Sequence, residues 1–149
     1  MAAVTAPLPV SREQVVAAAR VYTGVPFRHQ GRSREGLDCA GLVIKVMRDL
    51  GLAPADYDVT GYGRRPDGQS MAAECRQRLV PVSLAKAAPG DVLLFRVTAD
   101  PQHLAIVGEI QGARTLIHAY APSRRVVEIH LAPWWADRMV GAFRLPGVL

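Results

Sequence analysis

The character of the chain changes at Pro89, and this change limits the folds that are open to it. After Pro89, five short β-rich runs follow one another and are separated by turn residues. Before Pro89, apolar residues recur at helical spacing instead. Helices followed by strands predict an α+β domain with an antiparallel sheet. The five runs read DVLLFRV, HLAIVGEI, TLIHAY, VVEIHL and MVGAFRL.

The first half of the chain predicts three helices. Ser11 and Gln14 have the spacing of a capping box, so the first helix begins there and ends before Gly24. Gly51 stands where a glycine commonly ends a helix. The second helix is predicted from about Cys39 to Leu50, followed by a long loop at 53–68 and a third helix from Met71 to Leu79.

Length and composition predict one globular domain that spans residues 1–149. A chain of this length buries roughly 68–70% of its unfolded surface, and half of its residues are hydrophobic. No apolar run approaches the ~20 residues that cross a bilayer, so no membrane insertion is predicted. The opening stretch MAAVTAPLPVSREQ has neither a basic segment nor a long apolar one, which predicts synthesis in the cytoplasm without a signal peptide.

The formal net charge of +5 raises the question of an anionic partner. The basic residues are scattered, with only short clusters at Arg64–Arg65 and Arg124–Arg125. A chain that binds nucleic acid normally shows a basic stripe or aromatic stacking residues, and this sequence shows neither. Nucleic-acid binding is therefore not predicted, whereas an anionic cell-wall polymer fits the charge.

Cys39 begins the second predicted helix and directly follows Asp38. One interpretation is that Cys39 is a small packing residue and that Asp38 is only the N-cap. The other is that Cys39 is a nucleophile presented at a helix N-terminus, where the helix dipole favours the thiolate. The second cysteine, Cys75, lies in a polar helix without an evident partner. We therefore expect two free thiols and an inert Cys75.

Two histidines fall on neighbouring predicted strands, where they could serve a nucleophile. A hairpin that turns between residues 110 and 112 places His103 opposite His118 or nearly so, and opposite residues share one face of a sheet. His103 would then act as the base for Cys39, and His118 would orient the base. Backbone N–H groups at the start of the helix would stabilise an oxyanion. An adjacent imidazole and a helix N-terminus are both expected to lower the thiol pKa.

The remaining histidines and the cysteine spacing allow weaker predictions. His29, in the loop just before the cysteine, could line a site or could simply be exposed, and His130 is expected on the surface. The cysteines and histidines show none of the paired spacings that zinc ligands have. No metal site is therefore predicted.

Four motifs, in this order, resemble those of the NlpC/P60 family of papain-like cysteine peptidases. They are the loop GVPFRHQG, the helix start DCAGLV, the strand start PGDVLLFR and the histidine strands HLAIVGEI and LIHAY. The resemblance runs from about Ser11 to Pro146, and it implies N-terminal helices packed on a five- to six-stranded antiparallel sheet. The ending VVEIHLAPWWADRMVGAFRLP is most similar to the branch of the family encoded by tailed phages and gene transfer agents.

The resemblance implies a cysteine endopeptidase that cleaves the peptide stems of peptidoglycan, typically between γ-D-glutamyl and diaminopimelate, without a cofactor. It makes Cys39 the nucleophile, His103 the base and His118 the third polar residue. It also places Tyr22 and Asp38 at the substrate-binding site.

The chain departs from the family pattern at Ala40, where serine is common, and in the loop Phe27–Gly31, which leaves the stem-peptide preference open. For a tail component, the resemblance implies assembly in the cytoplasm, other tail proteins as partners and action in the periplasm or cell wall. Two alternatives stay open. One is an amidase or acyltransferase on the same fold, and the other is a non-enzymatic tail-tip subunit that retains the fold.

Overall fold

The computed structural model describes residues 9–63, 70–98 and 101–149. Helices pack on a six-stranded antiparallel sheet, which confirms the α+β prediction. The helices are α1 (Arg12–Arg20), α2 (Cys39–Asp49), α3 (Ser70–Arg78) and the short α4 (Pro133–Ala136). The strands are β1 (Arg32–Ser33), β2 (Gly36–Leu37), β3 (Val80–Val82), β4 (Val92–Arg96), β5 (Pro101–Ile110), β6 (Ala113–Tyr120), β7 (Arg125–His130) and β8 (Met139–Arg144).

The first helix begins at the predicted capping box. The Ser11 hydroxyl accepts a hydrogen bond from the Gln14 backbone N–H at 3.1 Å, and the Gln14 side chain accepts one from the Ser11 N–H at 2.8 Å. Two N–H groups that would otherwise lack partners are thereby satisfied. Val15, Val16 and Ala19 form the buried face of α1.

The second helix begins at Cys39 as predicted and presents an apolar face that includes Leu42, Val43 and Val46 to the sheet. Gly51, which follows the helix, has a φ of +68°. This left-handed conformation suits glycine, because glycine has no Cβ to clash with the preceding turn. The prediction for the third helix is confirmed with a shift of one residue.

The six strands follow the order β3-β8-β4-β5-β6-β7, and every neighbouring pair is antiparallel. Five of these strands correspond to the five predicted runs. The sixth strand, β3, was not predicted, since it has only three residues and contains Pro81. Proline has no N–H to donate, which confines a strand that contains it to the edge of a sheet. The small hairpin of β1 and β2 lies in a segment that the sequence indicates only as a polar loop.

Apolar side chains cover both faces of the central strands, so these strands read as continuous hydrophobic runs. Leu104 and Ile106 of β5 point to the face covered by α1 and α2. Ala105 and Val107 alternate to the other face, where they pack with Trp135 of α4. By the same alternation, His103 and His118 project to the face that carries Trp135.

Strands β5 and β6 are joined by a two-residue turn at Gln111 and Gly112, between the paired residues Ile110 and Ala113. Both turn residues have positive φ, +52° and +80°. Two consecutive positive φ values define a type I′ turn, whose twist matches that of the flanking strands. The predicted turn position is thereby confirmed.

The long predicted loop is described only in part. Residues 53–63 contain no helix or strand, as expected, and 64–68 lie outside the described residues, as does the basic cluster Arg64–Arg65. Within the described parts of the chain, none of the helices has the length and apolar character that crossing a membrane requires.

Candidate active site

Cys39 occupies the first position of α2 and is partly buried. Burial raises the pKa of its thiol to about 12, and the charge of Asp38 adds to the rise. Backbone N–H groups of Leu104, Ala40 and Cys39 itself favour the thiolate and oppose this rise. The expected lowering of the thiol pKa is therefore wrong for this structure, because desolvation outweighs the helix terminus. The thiol is protonated at neutral pH.

His103 and His118 form the pair that the hairpin register predicts. Nε2 of His103 lies 2.7 Å from Nδ1 of His118, and the two residues are 7% and 0% exposed. The ladder pairs Ile106 with Ile117, which makes the histidines diagonal rather than directly opposite neighbours. Diagonal positions on one face remain within reach of long side chains.

Both imidazoles are neutral at neutral pH. Burial lowers the pKa of His103 to about 3, helped by the neighbouring His118, and burial also lowers the pKa of His118 to about 4. The hydrogen bond between them thus holds a single proton. If His103 is to accept a proton at Nδ1, its Nε2 must carry that hydrogen and donate it to His118. His118 is then protonated at Nε2, an atom that is buried without a hydrogen-bond partner.

Three aromatic rings enclose the histidine pair. His118 stacks on Tyr120 with ring centroids 5.1 Å apart and an interplanar angle of 6°. Trp135 meets His118 nearly perpendicularly at 5.2 Å, and Phe95 lies 6.1 Å from His103. A perpendicular ring offers a weak acceptor for an N–H that has no other partner. No sequence pattern indicates this enclosure, since the three aromatic residues lie far apart in the chain.

Cys39 contacts strand β5, which also carries His103. The thiol lies within reach of the backbone N–H of Leu104, the residue that directly follows His103. The strand thus passes beside the nucleophile with its backbone, while the His103 ring projects to the sheet face that carries Trp135. Among the described residues, no hydrogen bond joins the thiol to the His103 ring.

Asp38 is an N-cap with a fully occupied carboxylate. Oδ1 accepts the Gly41 N–H at 2.7 Å and Arg32 Nη1 at 3.1 Å, while Oδ2 accepts the Gln30 N–H at 2.8 Å and the Tyr62 hydroxyl at 2.6 Å. Two carboxylate oxygens accept about four hydrogen bonds in total. Asp38 is therefore the N-cap of α2, and both of its carboxylate oxygens are engaged by groups of the protein.

Arg32 ties the loop after α2 to the start of that helix. Its guanidinium donates to Asp58 at 2.7 Å, to the Val59 carbonyl at 2.9 Å and to the Tyr62 hydroxyl at 2.6 Å, besides its bond to Asp38. Burial, followed by the bond to Asp38, raises the pKa of Tyr62. Sequence reasoning missed this network because its members are distant in the chain and follow no periodicity.

His29 and Tyr22 differ in their distance from the site. The His29 ring meets Tyr62 at 5.5 Å in a perpendicular arrangement, so His29 supports a residue that lines the groove next to Cys39. Tyr22 is buried, and its hydroxyl donates to Asp49 at the other end of α2. Ten residues of helix separate Asp49 from Cys39, about 15 Å. The structure therefore places the Tyr22 hydroxyl at the end of α2 remote from Cys39.

A groove of about 320 Å³ extends from Cys39 between α2 and α3. Cys75 of α3 forms part of its wall, and burial raises the pKa of the Cys75 thiol to about 12, with a further contribution from Cys39. Both thiols are free, as expected. Within the described residues, no three side chains of the metal-binding types converge. The groove wall is mostly apolar and includes Val43, Ile44, Met47 and Met71, with Glu74 and Arg78 as charged members.

Known proteins resemble this chain over most of its length. A murein DD-endopeptidase/LD-carboxypeptidase, MepS, of Escherichia coli (strain K12) is 27% identical over 125 residues, 83% of this chain and 57% of that protein. A probable endopeptidase of Mycobacterium tuberculosis is 33% identical over 96 residues, 64% of this chain and 20% of that protein. The chain thus spans little more than half the length of the first relative and a fifth of the second.

Among solved structures, the NlpC/p60 domain of the peptidoglycan hydrolase SagA has the same fold. It is 24% identical, with a TM-score of 0.63 over 90% of this chain and 98% of that one. The NlpC/P60 family model matches residues 24–144, a range that holds Cys39 and both histidines of the buried pair. The chain therefore belongs to the NlpC/P60 family.

Proposed function

We propose that this protein is a cysteine endopeptidase that hydrolyses the stem peptides of peptidoglycan through an acyl-enzyme on Cys39. The observation that carries the proposal is the position of Cys39, at a helix N-terminus and beside the strand that holds the hydrogen-bonded pair of His103 and His118. Nucleophile, base and a polar group that orients the base are the components of thiol catalysis.

The protonation states set the order of events. The thiol starts protonated and the imidazole starts neutral, so proton transfer to Nδ1 of His103 accompanies attack of Sγ on the scissile carbonyl. Backbone N–H groups near Sγ face the negative charge that develops on the carbonyl oxygen. The leaving amine takes the proton from the imidazolium, and water then hydrolyses the thioester with His103 again as base. His118 holds the ring in the required tautomer throughout.

For the scissile bond, we propose the link between γ-D-glutamyl and diaminopimelate. The family motifs around Cys39 support this choice, and the murein endopeptidase among the relatives supports peptidoglycan peptides as the substrate class. Purified protein should release the corresponding fragments from peptidoglycan or from synthetic stem peptides, detected by mass spectrometry. Cys39→Ala should abolish release with the fold intact, and Cys75→Ala should retain it. Equal release by the Cys39→Ala variant would refute catalysis by this thiol.

The biological setting that we propose is the tail of a phage or gene transfer agent. The ending VVEIHLAPWWADRMVGAFRLP supports this setting by its resemblance to that branch. The protein would then be assembled in the cytoplasm with other tail proteins and would act in the periplasm or cell wall. Purified particles from the producing cell should contain the chain in their tail fraction. Its absence from particles would remove this part of the proposal.

A second candidate is an amidase or acyltransferase that uses the same thiol. Ala40 in place of the common serine and the mostly apolar wall next to Cys39 favour it. Offering stem peptides and acyl donors in parallel separates the two reactions. A non-enzymatic tail-tip subunit is the outcome if neither class reacts while Cys39→Ala particles infect normally.

A further inference from the structure

The sheet face that carries the histidine pair continues, past Tyr120, to an exposed arginine. The ring of Tyr120 stacks on His118, and the ladder of β6 and β7 pairs Tyr120 with Arg125. Paired residues lie on one face of a sheet, so Arg125 shares the face of His118. Arg125 is also bridged to Pro26, which lies in the segment between α1 and β1. The outer edge of β7 is thereby extended by one more stretch of chain.

Arg28 lies on the same face of this extension. The Arg28 N–H donates to the Leu37 carbonyl of β2 at 3.0 Å, so the segment runs between β7 and β2. Alternate residues of an extended segment point to one side, which places Arg28 with Pro26 on the side of Arg125. As a diagonal neighbour, Arg28 lies about 7–8 Å from Arg125. Its side chain passes over Gly36, where any larger residue would collide with it.

A third arginine, Arg124, stands beside this pair, and the three charges are not neutralised. Arg124 has a φ of +61° in the turn before β7, and its carbonyl accepts the Phe27 N–H at 2.9 Å. Arg28, Arg124 and Arg125 are all exposed, and within the described residues their guanidinium groups have no hydrogen bond and no ion pair. Like charges this close repel one another, so a bound anion removes a repulsion as well as making its own contacts. These three residues form an arginine cluster.

The arginine cluster is suited to phosphate groups that repeat along a flexible chain. A guanidinium group binds one phosphate through two parallel hydrogen bonds, and it keeps its charge at every physiological pH. A single contact at an exposed position contributes little, whereas several linked contacts raise the affinity together. Single-stranded nucleic acid is less suitable, because it binds through base stacking on aromatic rings and the Tyr120 ring is already stacked on His118. Proteins that bind duplex DNA make roughly 6–10 phosphate contacts, more than three arginines supply.

We propose that the arginine cluster binds a phosphodiester polymer of the cell wall, next to the active site and separately from the scissile peptide. The choice of a wall polymer rests on the proposed function, because a peptidoglycan hydrolase meets such polymers where its substrate lies. Arg28, Arg124 and Arg125 each bind one phosphate at a time. Successive phosphates of the chain exchange on the cluster, which keeps the enzyme on the wall between cleavage events.

Titration of a fluorescently labelled poly(glycerol phosphate) chain with the protein tests the arginine cluster. Fluorescence anisotropy gives the dissociation constant at several salt concentrations. Arg28→Gln combined with Arg125→Gln should weaken binding by about tenfold or more, because two charge-assisted contacts are lost. The slope of log affinity against log salt should fall by about one for each arginine removed. Hydrolysis of a soluble stem peptide by this double variant should match that by wild type.

Two other exposed arginines provide a control with the same change in net charge. Arg76 of α3 and Arg96 of β4 are exposed, and their side chains also lack ion pairs within the described part of the chain. Three strand spacings, about 14 Å, separate β4 from β7. Arg76→Gln combined with Arg96→Gln should keep the affinity and the salt dependence of wild type. Circular dichroism verifies the fold of both double variants.

Equal weakening by the two double variants would overturn the proposal, because net charge alone would then explain the binding. Absence of polymer binding by wild type would also overturn it. Duplex DNA and phosphatidylglycerol vesicles are compared at equal phosphate concentration, and equal or tighter binding of either would assign the cluster to that partner instead. Slower hydrolysis of the soluble peptide by the Arg28 and Arg125 double variant would make the cluster part of the substrate site.

The binding measurement needs no catalysis, so the cluster and the endopeptidase are tested separately. Protein that binds the polymer through the cluster but cleaves no peptide supports the cluster and refutes the endopeptidase. Protein that cleaves stem peptides but does not bind the polymer supports the endopeptidase and refutes the cluster.

Discussion

Nε2 of His103 and Nδ1 of His118 are 2.7 Å apart, in a hydrogen bond shielded by Tyr120 and Trp135. Because the pair is buried, the pKa values of both imidazoles fall far below that of an exposed histidine. The pair is a neutral unit at neutral pH. It can accept a proton from a thiol but does not hold the thiol as a thiolate in advance.

Alkylation of Cys39 should therefore be slow at neutral pH. The thiol pKa is raised to about 12, compared with about 8.5 for an ordinary cysteine. The rate of reaction with iodoacetamide should still rise above pH 9 in the native protein, whereas denatured protein should level off there. Peptide mass spectrometry reports Cys39 and Cys75 separately. Faster alkylation of native than of denatured protein at pH 6–7 would show a preformed thiolate instead.

The fall of kcat/KM on the acid side of the pH profile should occur at low pH. A base works only when it is unprotonated, and His103 stays neutral down to a pKa of about 3. We expect kcat/KM to hold from pH 7 down to about pH 5, with circular dichroism to verify folding at each pH. A fall centred near pH 6.5 would mean that the working base is solvated.

His118 should act as a positioning residue. His118→Asn keeps an acceptor for the Nε2–H of His103, whereas His118→Ala removes it. We expect His103→Ala to lower kcat/KM by about 10²–10⁴, His118→Ala to lower it less, and His118→Asn to recover part of that loss. The acid limb should match wild type in the Asn variant. Equal loss in the Asn and Ala variants would argue against orientation through this hydrogen bond.

The free energy of unfolding should fall as the pH drops. An unfolded histidine has a pKa of about 6.5, and the folded values are about 3 and 4, so protons bind the unfolded state preferentially between these limits. The stabilisation is complete above pH 6.5 and decreases toward pH 4, by about 3 kcal/mol for each histidine. Urea titrations at pH 7 and pH 4.5 measure it. A protein with both histidines replaced by glutamine should show a flatter dependence.

Asp38 should contribute mainly to the stability of the fold. Asp38→Ala removes the N-cap of α2, one of the two carboxylates bound to the Arg32 guanidinium and the acceptor of the Tyr62 O–H. We expect a loss of about 2–4 kcal/mol in the free energy of unfolding. Asp56→Ala, at an exposed position of the following loop, serves as the control. A loss of less than 0.5 kcal/mol, roughly that of a surface change, would contradict the network.

Tyr22→Phe should leave the KM for stem peptides unchanged. The hydroxyl bonds Asp49 at the end of α2 remote from Cys39. Losing this bond should reduce the free energy of unfolding by about 1 kcal/mol. A several-fold rise in KM with unchanged stability would return Tyr22 to the substrate site.

The features that the sequence predicted are those that depend on residues close together in the chain. The capping box at Ser11, the start of α2 at Cys39 and the turn at Gln111 all follow from residues close together in the chain. The pairing of His103 with His118 also followed, because a short hairpin fixes the register once its turn is known.

What the sequence could not predict depends on three-dimensional packing. The thiol pKa is set by how far β5 and α2 enclose Cys39, a quantity without a local signature. The network of Arg32, Asp58 and Tyr62 joins residues up to 30 positions apart. Tyr22 was placed by family resemblance, which gives the residue type but not the end of the helix that it contacts.

The type I′ turn at Gln111 and Gly112 is a suitable site for attaching a label or a surface anchor. It is exposed, and β5 separates it by about 30 Å from the groove. A short peptide insertion or a cysteine-linked fluorophore at this turn would leave the reactive end free. Anchoring the protein there on a bead or sensor chip should present Cys39 outward, so that insoluble wall fragments can reach it.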